Sequence, residues 1–331
     1  MQKYLAPHIK GFSEIIREAL YKRFSDVKIS EQAADLVVFE TNAPIGKVNH
    51  TPIFTDVFLV INSFTGLYGH DIYRQIIKMS LDRNLSNIKV GDSFKIVHTQ
   101  DGQNTNVNPI LMGKMEENVA KQLELKVNQK KPYWEFWIIT RGDTTHFCLR
   151  LTYHPSYEKA LEPGVIRPDL AGLLCYISDP QKSDVFLDPS CRNGAIPVAR
   201  ADVGKFSRIY GVDADEDAIA KLKESFEMDR VEFITGDVTE KLPFASQSIN
   251  KIVTDPFWND SEMLEKDETK FINDILGELC RVLKKDGILV MLYTGEFDFA
   301  ESFKSHGLKI LKTFDVIISR ESAKILKLGK I

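Results

Sequence analysis

Residues 185–194 have the sequence VFLDPSCRNG, in which a short apolar run ends at an acidic residue and a turn follows. The apolar side chains of Val185, Phe186 and Leu187 predict a short buried strand. Pro, Ser, Asn and Gly in the next six positions are typical of a turn, and the apolar spacing from 195 to 203 predicts a helix. We therefore expect a strand, a loop and a helix in that order.

The same alternation of strand and helix continues towards the end of the sequence. The clearest helical pattern lies between residues 270 and 283, where Phe271, Ile275 and Leu279 share one stripe. The other predicted elements are strands at 209–212, 231–234, 251–254 and 287–292, a helix at 216–226, and an antiparallel hairpin from 314–319 and 323–328. Strands that alternate with helices predict an α/β domain with a parallel sheet and right-handed crossovers.

Four of the predicted strands end in an acidic residue, and these residues are Asp188, Asp213, Asp237 and Asp255. Ligands of open parallel sheets bind beyond the carboxyl ends of the strands. A single Asp in such a place more often forms a turn or caps a helix. Four acids with the same placement favour a ligand site, and we expect them to line one edge of the sheet.

The residue types at this edge favour one cofactor. The sequence lacks the Gly-x-Gly-x-x-Gly pattern of a pyrophosphate site and the Gly-Lys-Ser/Thr pattern of a phosphate-binding loop. Carboxylates at Asp188 and Asp255 would repel a diphosphate, whereas S-adenosylmethionine carries a sulfonium and an ammonium. We expect Asp213 to accept the ribose hydroxyls and Asp237 to accept the adenine amine.

The first half of the chain has a different pattern. Helical spacing near residues 12–20 alternates with strand-like runs at 36–39, 57–61 and 133–139, which predicts an α+β region. A polar stretch at 101–108 is expected to be a surface loop. Turn-forming residues cluster between 153 and 164, so we expect an N-terminal region at 1–152, a linker at 153–168 and a second domain at 169–331.

Composition limits the class of protein. Of the 331 residues 43% are apolar, and no run of eighteen apolar residues predicts a membrane span. The first residues lack the order of an export signal and the four cysteines are far apart, so we expect a cytoplasmic protein without disulfides or a metal site.

The charge is distributed unevenly between the two halves of the chain. Residues 1–150 hold 19 Lys and Arg against 16 Asp and Glu, and the remainder holds 24 against 31. This asymmetry permits an RNA-binding first half, although chance accounts for it equally well.

The residues after the strands resemble the motifs of a known family. Asp188 to Gly194, Gly211-Val212-Asp213, Gly236-Asp237 and Asp255-Pro256-Phe257-Trp258 are similar to motifs of class I methyltransferases that act on exocyclic amines. Residues 164–171 resemble the helix entrance that lines the methionine end of the cofactor in that family. The resemblance implies a Rossmann-like class I methyltransferase domain that uses S-adenosylmethionine. It implies cofactor contacts at Arg167, Asp188, Pro189, Ser190, Cys191, Gly194, Asp213, Ala214, Asp237 and Val238, and catalytic roles for Asp255, Pro256, Phe257 and Trp258.

The first half extends this resemblance. Residues 94–96, 113–127, 134–140 and 147–152, together with Leu125 to Asn128 and Lys131-Pro132, are similar to a THUMP domain. The region ahead of them is similar to the ferredoxin-like unit that accompanies THUMP in tRNA-modifying enzymes. The resemblance implies an RNA methyltransferase of the tRNA guanosine-N2 type whose N-terminal region holds the tRNA acceptor end, with no DNA or membrane partner.

The chemistry expected at Asp255 follows from the nature of the amine. An exocyclic nitrogen shares its lone pair with the base and is a poor nucleophile. Accepting its N–H bonds at the Asp255 carboxylate and the Pro256 carbonyl would make it more nucleophilic in the transition state. Phe257 or Trp258 would then stack on a base flipped out of its helix.

Two other interpretations remain open. Arg192 and Asn193 stand where the family loop has Gly and Ser, and Phe257 replaces the second Pro of the amine motif, as in a non-catalytic RNA-binding protein with a degenerate cofactor loop. Retention of Asp213, Asp237 and Asp255 argues against that interpretation. The substrate can also be ribosomal RNA, adenine N6 or cytosine N4, because any exocyclic NH2 group can use the same two acceptors.

Overall fold

A computed structural model describes residues 1–82, 85–152, 165–256, 268–293, 298–318 and 321–331. The chain divides into two compact units. The first comprises Met1–His8, Leu20–Asn49 and Phe54–His154, and the second comprises Ile9–Ala19, His50–Ile53 and Pro155–Ile331. The sequence placed one division at 153–168, most of which lies outside the described residues. The contacts also assign two N-terminal segments to the second unit, which the local sequence pattern did not predict.

The first unit contains a nine-stranded sheet with the order β2-β3-β1-β4-β9-β8-β5-β6, and β7 pairs with β5. Its elements are β1 (Gln2–Pro7), α1 (Ser13–Arg23, whose first part belongs to the second unit), β2 (Lys28–Gln32), β3 (Leu36–Thr41), α2 (Ile45–Asn49), β4 (Phe58–Thr65), α3 (His70–Lys78), β5 (Ser93–Gln100), β6 (Gln103–Asn104), α4 (Pro109–Leu123), β7 (Lys126–Val127), β8 (Trp134–Arg141) and β9 (Thr144–Arg150). The order of β1 to β4 and their antiparallel pairing match the ferredoxin-like arrangement.

Local sequence explains where helix α4 begins and why the short strand β6 was not predicted. Helix α4 begins where the side chain of Asn108 accepts hydrogen bonds from the N–H groups of Ile110 and Leu111, and Pro109 takes the first helical position. The predicted surface loop at 101–108 is wrong in part, because Gln103 and Asn104 pair with the end of β5. A polar two-residue strand lacks the apolar alternation by which strands are recognised.

The second unit contains a seven-stranded sheet with the order β12-β11-β10-β13-β14-β16-β15. Its elements are α5 (Pro168–Ile177), β10 (Val185–Asp188), α6 (Ala195–Val203), β11 (Arg208–Asp213), α7 (Glu216–Ser225), β12 (Val231–Thr235), β13 (Ile249–Thr254), α8 (Glu268–Val282), β14 (Leu283–Tyr293), α9 (Ala300–Ser305), β15 (Leu308–Ile318) and β16 (Glu321–Lys330). Strands β10 to β14 are parallel, and β16 is antiparallel to both neighbours. The predicted parallel sheet and its closing hairpin are confirmed.

The core of the second unit surrounds this sheet. The apolar stripe of α8 contributes Ile272, Ile275 and Leu279 to a large buried cluster that includes Leu289 of β14. Every residue of α5 after Pro168 is buried. No helix among the described residues combines the length and the apolar character that crossing a membrane requires.

The two N-terminal segments of this unit make specific contacts within it. The ring of Phe12 stacks on Phe314 of β15 with centroids 5.6 Å apart, and Glu14 forms a 3.1 Å ion pair with Lys312. The backbone of Pro52 lies so close to α5 that only a glycine fits at position 172. These segments are therefore part of the second unit's core and edge.

Candidate active site

The four predicted acids lie along one edge of the second unit's sheet. Asp188 and Asp213 are the last residues of β10 and β11, Asp255 directly follows the end of β13, and Asp237 lies two residues after the end of β12. Neighbouring strands are about 4.8 Å apart, and the strand order places Asp188 between Asp213 and Asp255. The strand order reverses between β10 and β13, which is where open α/β sheets bind ligands.

Asp188 is the most enclosed of these acids, with 1% of its surface exposed. Its Oδ1 accepts a 3.3 Å hydrogen bond from the Ser190 N–H, while its Oδ2 has no hydrogen-bond partner in the described residues. Burial raises the pKa of Asp188 well above the usual range, and the charge of Asp213 raises it further. Because an unpartnered buried carboxylate oxygen is costly, Oδ2 is suited to a ligand that donates a hydrogen bond.

Close backbone contacts shape the loop after β10. The Cys191 N–H donates to the Val212 carbonyl at 2.8 Å, and the Gly194 N–H donates to the Cys191 carbonyl at 2.7 Å. Gly194 has a φ of 77°, and a Cβ there would lie 2.8 Å from Leu222 Cδ2, so the position requires glycine. The Cys191 side chain packs in an apolar cluster with Leu222, and burial raises its thiol pKa. Cys191 therefore serves the loop through its backbone and its packing.

Asp213 joins two loops of the site. Its Oδ2 accepts a 2.7 Å hydrogen bond from the Arg192 N–H, and its Oδ1 accepts a 3.1 Å bond from the Asp215 N–H. Each carboxylate oxygen can accept a second hydrogen bond, so the half-buried group retains capacity for a diol. Ala214, which follows it, is exposed at the same edge.

Asp237 has a more local role than the other acids. The residue is exposed, and its Oδ1 accepts hydrogen bonds from the backbone N–H and the hydroxyl of Thr239 at 2.8 and 2.7 Å. This is an Asx-type turn, the common role of an isolated Asp after a strand. Val238 is partly buried against the main core cluster. The adenine contact at Asp237 stays a prediction.

Asp255 is buried at 5% exposure after the end of β13, and its Oδ1 has no hydrogen-bond partner within the part of the chain that the structure describes. Burial raises the pKa of its carboxyl well above the usual range. The positive charge of Arg192 lowers this pKa and the negative charge of Asp188 raises it further. The neighbouring Thr254 hydroxyl is also buried, again without a partner in the described parts of the chain. Pro256 is buried beside Asp255, and Phe257 and Trp258 lie outside the described residues.

The start of α5 holds another acid that the sequence analysis missed. Arg167 donates two hydrogen bonds to Asp169, at 3.0 and 2.6 Å, in a bidentate pair. Asp169 is buried at 4% exposure, and its Oδ1 also accepts from the Leu170 N–H. Arg167 itself precedes Pro168 at the helix start, as expected. A carboxylate two residues from a basic residue is common on solvated surfaces, so the sequence carried no signal for a buried pair.

Hydrogen-bond acceptors of the site complement the donors of the expected cofactor. The site's buried acceptors without a hydrogen-bond partner from any described residue are Asp188 Oδ2, Asp255 Oδ1 and Thr254 Oγ1. S-adenosylmethionine has an ammonium and a ribose diol as donors and no phosphate. The acidic residues present therefore fit this group, with Asp188, Asp213 and the glycine-shaped loop as the parts that would hold it.

Comparisons with known proteins agree with this assignment. Residues 180–310 match the family model of a methyltransferase domain, and no curated protein matches the chain. TrmN from Thermus thermophilus has a similar structure over 100% of both chains, with a TM-score of 0.78 and 18% identity. A predicted N6-adenine-specific DNA methylase from Listeria monocytogenes is similar over 98% of this chain and 95% of its own, with a TM-score of 0.67 and 12% identity. A putative methyltransferase, SMU.472, complexed with SAH, is similar over 100% of this chain and 98% of its own, with a TM-score of 0.67 and 13% identity.

The second half of the chain therefore carries a methyltransferase domain. The predicted Rossmann-like fold is confirmed by the strand order and by these likenesses. The predicted cofactor of that domain, S-adenosylmethionine, is confirmed as well. The THUMP resemblance of the first half stays a prediction.

Proposed function

We propose that this protein is an S-adenosylmethionine-dependent RNA methyltransferase that methylates the exocyclic N2 amine of a guanosine in tRNA. The observation that carries the proposal is the buried Oδ1 of Asp255, an acceptor without a partner among the described residues, at the point where the strand order reverses. An exocyclic amine offers two N–H donors, and this oxygen and the carbonyl of Pro256 are two hydrogen-bond acceptors that suit them.

The proposed mechanism assigns a separate task to each acid. S-adenosylmethionine supplies an electrophilic methyl group. Asp188 accepts a hydrogen bond from an ammonium, and Asp213 accepts hydrogen bonds from ribose hydroxyls. Asp255 and the Pro256 carbonyl accept the N–H bonds of the substrate amine, which draws its lone pair away from the ring and towards the methyl group. The methylated amine then loses a proton, for which Asp255 is the nearest assigned acceptor.

An exposed basic segment of the first unit supports an RNA substrate. Lys126, Lys130, Lys131 and Tyr133 are all exposed, the last with 68% of its surface accessible. Asn128 Oδ1 accepts from the backbone N–H groups of both Lys130 and Lys131 at 3.1 Å, which fixes the turn that presents them. Lysines beside an accessible aromatic ring suit phosphates and unstacked bases of single-stranded RNA.

A second candidate function has support from the comparisons. The similar structure from Listeria monocytogenes is named as a predicted N6-adenine-specific DNA methylase. Adenine N6 and guanine N2 are both exocyclic amines, and the two acceptors at Asp255 and Pro256 serve either. The product, identified by mass spectrometry after nucleoside digestion, separates the two functions.

The test uses the full chain, S-adenosylmethionine and four acceptors: mixed tRNA, ribosomal RNA, single-stranded DNA and duplex DNA. Calorimetry should show cofactor binding by the wild type and a large loss of affinity in Asp213→Ala. Asp255→Ala should lower methyl transfer by about 100-fold or more, because one transition-state acceptor is removed. Its dissociation constant for the cofactor should stay within about threefold of the wild type. Glu224→Ala, which removes an exposed carboxylate of α7, is the matched control and should behave as the wild type.

N2-methylguanosine formed only in tRNA is the expected product. Methyladenosine or methylated DNA would replace the proposed substrate with the second candidate. Absence of cofactor binding with and without tRNA would overturn the enzymatic function and favour the non-catalytic RNA-binding alternative.

A further inference from the structure

A serine, a histidine and a glutamate of the first unit form a connected series of hydrogen bonds on its sheet. Ser63 Oγ lies 2.9 Å from His146 Nδ1, and His146 Nε2 lies 3.2 Å from Glu31 Oε2. The three residues belong to β4, β9 and β2, and none of them has a task in the proposed methyl transfer. A serine in contact with a base that a carboxylate orients is the combination that activates the serine hydroxyl as a nucleophile.

The arrangement of the strands explains how residues so distant in sequence meet. Ser63 is directly opposite His146 in the antiparallel pair of β4 and β9. The register of that pair shifts between Val60 and Asn62, and a bulge of this kind redirects the side chains that follow it. Strands β3, β1 and β4 separate β2 from β9 in the sheet order, so the contact of Glu31 with His146 requires a strongly curved sheet. The bulge and the curvature together bring the three groups into contact.

The partners of each polar group determine the direction in which its proton is donated. A carboxylate only accepts hydrogen bonds, so the contact with Glu31 places the imidazole proton of His146 on Nε2. Nδ1 is then an acceptor, and the hydroxyl of Ser63 donates to it. The ammonium of Lys3, on β1, donates to the same hydroxyl oxygen at 3.4 Å. In this arrangement His146 can take the proton of Ser63.

Burial and charge suit the histidine to the role of a base. His146 is 1% exposed, whereas Ser63 is half-buried and can be reached by a small molecule. Burial lowers the pKa of His146 below its usual value. The positive charge of Lys3 lowers this pKa further, and the negative charge of Glu31 raises it without reversing the shift. The imidazole is therefore neutral at neutral pH and free to accept a proton.

We propose that Ser63 is a nucleophile that takes acyl groups from small carboxylic esters, an activity separate from methyl transfer. Ser63 Oγ bonds to the carbonyl carbon while His146 Nδ1 takes the hydroxyl proton, and the oxyanion forms beside the ammonium of Lys3. The bond from that carbon to the alcohol oxygen then breaks, and His146 gives the proton to the departing alcohol. Water attacks the acyl-serine with the same proton transfers, which releases the carboxylic acid and restores the serine. Glu31 is a positioning residue that orients the imidazole.

Another contact between a serine and a histidine, in the second unit, has the opposite proton arrangement and provides a control. Ser305 Oγ lies 3.1 Å from His306 Nδ1, and that nitrogen lies 2.8 Å from the Ser302 carbonyl oxygen. A carbonyl oxygen only accepts, so Nδ1 of His306 carries a proton and cannot take a second one. Ser305 therefore has a neighbouring histidine that does not act as its base.

The test treats the full chain with a fluorophosphonate, which modifies activated serines, and also measures hydrolysis of p-nitrophenyl acetate. We expect one principal adduct, which peptide mass spectrometry places on Ser63, and continuous release of p-nitrophenol. Ser63→Ala should lose both, whereas Ser305→Ala should keep both at the wild-type level. His146→Gln should lower the labelling rate by about 100-fold or more, because the general base is removed. Melting temperatures of all variants show whether each one is folded.

The pH profile of labelling gives a readout that a merely structural role would not change. The wild-type rate should reach half its maximum below pH 6.5, because the pKa of His146 is lowered from that value. Glu31→Ala removes a charge that raises this pKa, so the half-maximal pH should fall further and the maximal rate should fall about tenfold or more. Glu31 is half-buried on the last strand of the sheet order, so this variant tests the inference even if His146→Gln does not fold. Absence of a Ser63 adduct in the wild type, or equal rates and profiles in the wild type and Glu31→Ala, would overturn the inference and leave the proposed methyl transfer intact.

Discussion

Gly172→Ala tests whether the His50–Ile53 segment belongs to the core of the methyltransferase unit. Gly172 lies in α5, and a Cβ added there would stand 1.6 Å from the Pro52 carbonyl oxygen and 2.6 Å from its carbonyl carbon. Real Cβ atoms essentially never approach other atoms within 3.0 Å, so the helix and the segment would have to separate by about 1.4 Å. The conflict is between a new methyl group and backbone atoms, which cannot rotate away.

The size of the effect follows from two opposing contributions. Replacing glycine by alanine inside a helix favours the helix by about 1 kcal/mol. An extra methyl group in a packed interior costs about 1–3 kcal/mol, and backbone conflict places this case near the upper value. The free energy of unfolding should therefore fall by about 2 kcal/mol, which lowers the melting temperature of a unit of this size by roughly 4–8 °C. Cofactor affinity should also fall, because α5 begins beside Arg167.

Differential scanning calorimetry of the full chain measures this change, with Gly113→Ala as the matched control. Gly113 lies inside α4, and a Cβ there would meet no heavy atom within 4 Å. The control should keep or raise the melting temperature by the helical contribution alone. A Gly172→Ala protein as stable as Gly113→Ala would refute the reasoning, because the Pro52 backbone could not then lie against α5.

Three further predictions concern the site and the RNA-binding segment. Asp255→Asn should raise the melting temperature of the cofactor-free protein, and the increase should grow as pH rises above 3.8. The reason is that a carboxyl whose pKa is raised on folding destabilises the folded protein when it ionises. An equal difference in melting temperature between variant and wild type at pH 4 and pH 8 would contradict this. Gly194→Ala should destabilise the protein by about 1–2 kcal/mol in urea denaturation, because its φ of 77° and the 2.8 Å approach to Leu222 both disfavour a Cβ; unchanged stability would show that the loop can relax. Lys130→Ala/Lys131→Ala should make the slope of log tRNA affinity against log salt concentration shallower by up to about 1.4, because two phosphate contacts are lost. An unchanged slope in fluorescence anisotropy titrations would show that the RNA does not bind at this segment.

Local sequence patterns predicted the parts of the fold that depend on local spacing. The helix at 195–203 and the strand that begins at residue 185 follow from apolar periodicity and turn residues, and the structure has both. The acids at the strand ends were predictable because parallel strands bring their carboxyl ends to one edge. The segments at 9–19 and 50–53 were not, since their place in the second unit depends on contacts such as Phe12 with Phe314. Such contacts join distant positions and leave no periodic signal.

The chemistry of individual acids was only partly predictable for a similar reason. Asp188 and Asp255 differ from Asp237 in burial, which decides whether an oxygen lacks a partner or is used by a neighbouring turn. Burial of one side chain depends on how its strand end is covered, and the sequence around Asp237 gave no distinguishing pattern. The bidentate pair of Arg167 with Asp169 was missed because its components look like surface charges.

The ion pair between Glu14 and Lys312 joins residues that are 298 positions apart. During synthesis the first of these residues leaves the ribosome long before β15 exists, so the segment at 9–19 must wait for almost the whole chain before its contacts can form. Closure of so long a loop is slow and entropically costly compared with local pairing. A methyltransferase half produced on its own would lack this segment and Pro52, exposing Phe314 and the face of α5 around Gly172. If the methyltransferase half were transferred to another protein, two short segments of the N-terminal half would have to be transferred with it.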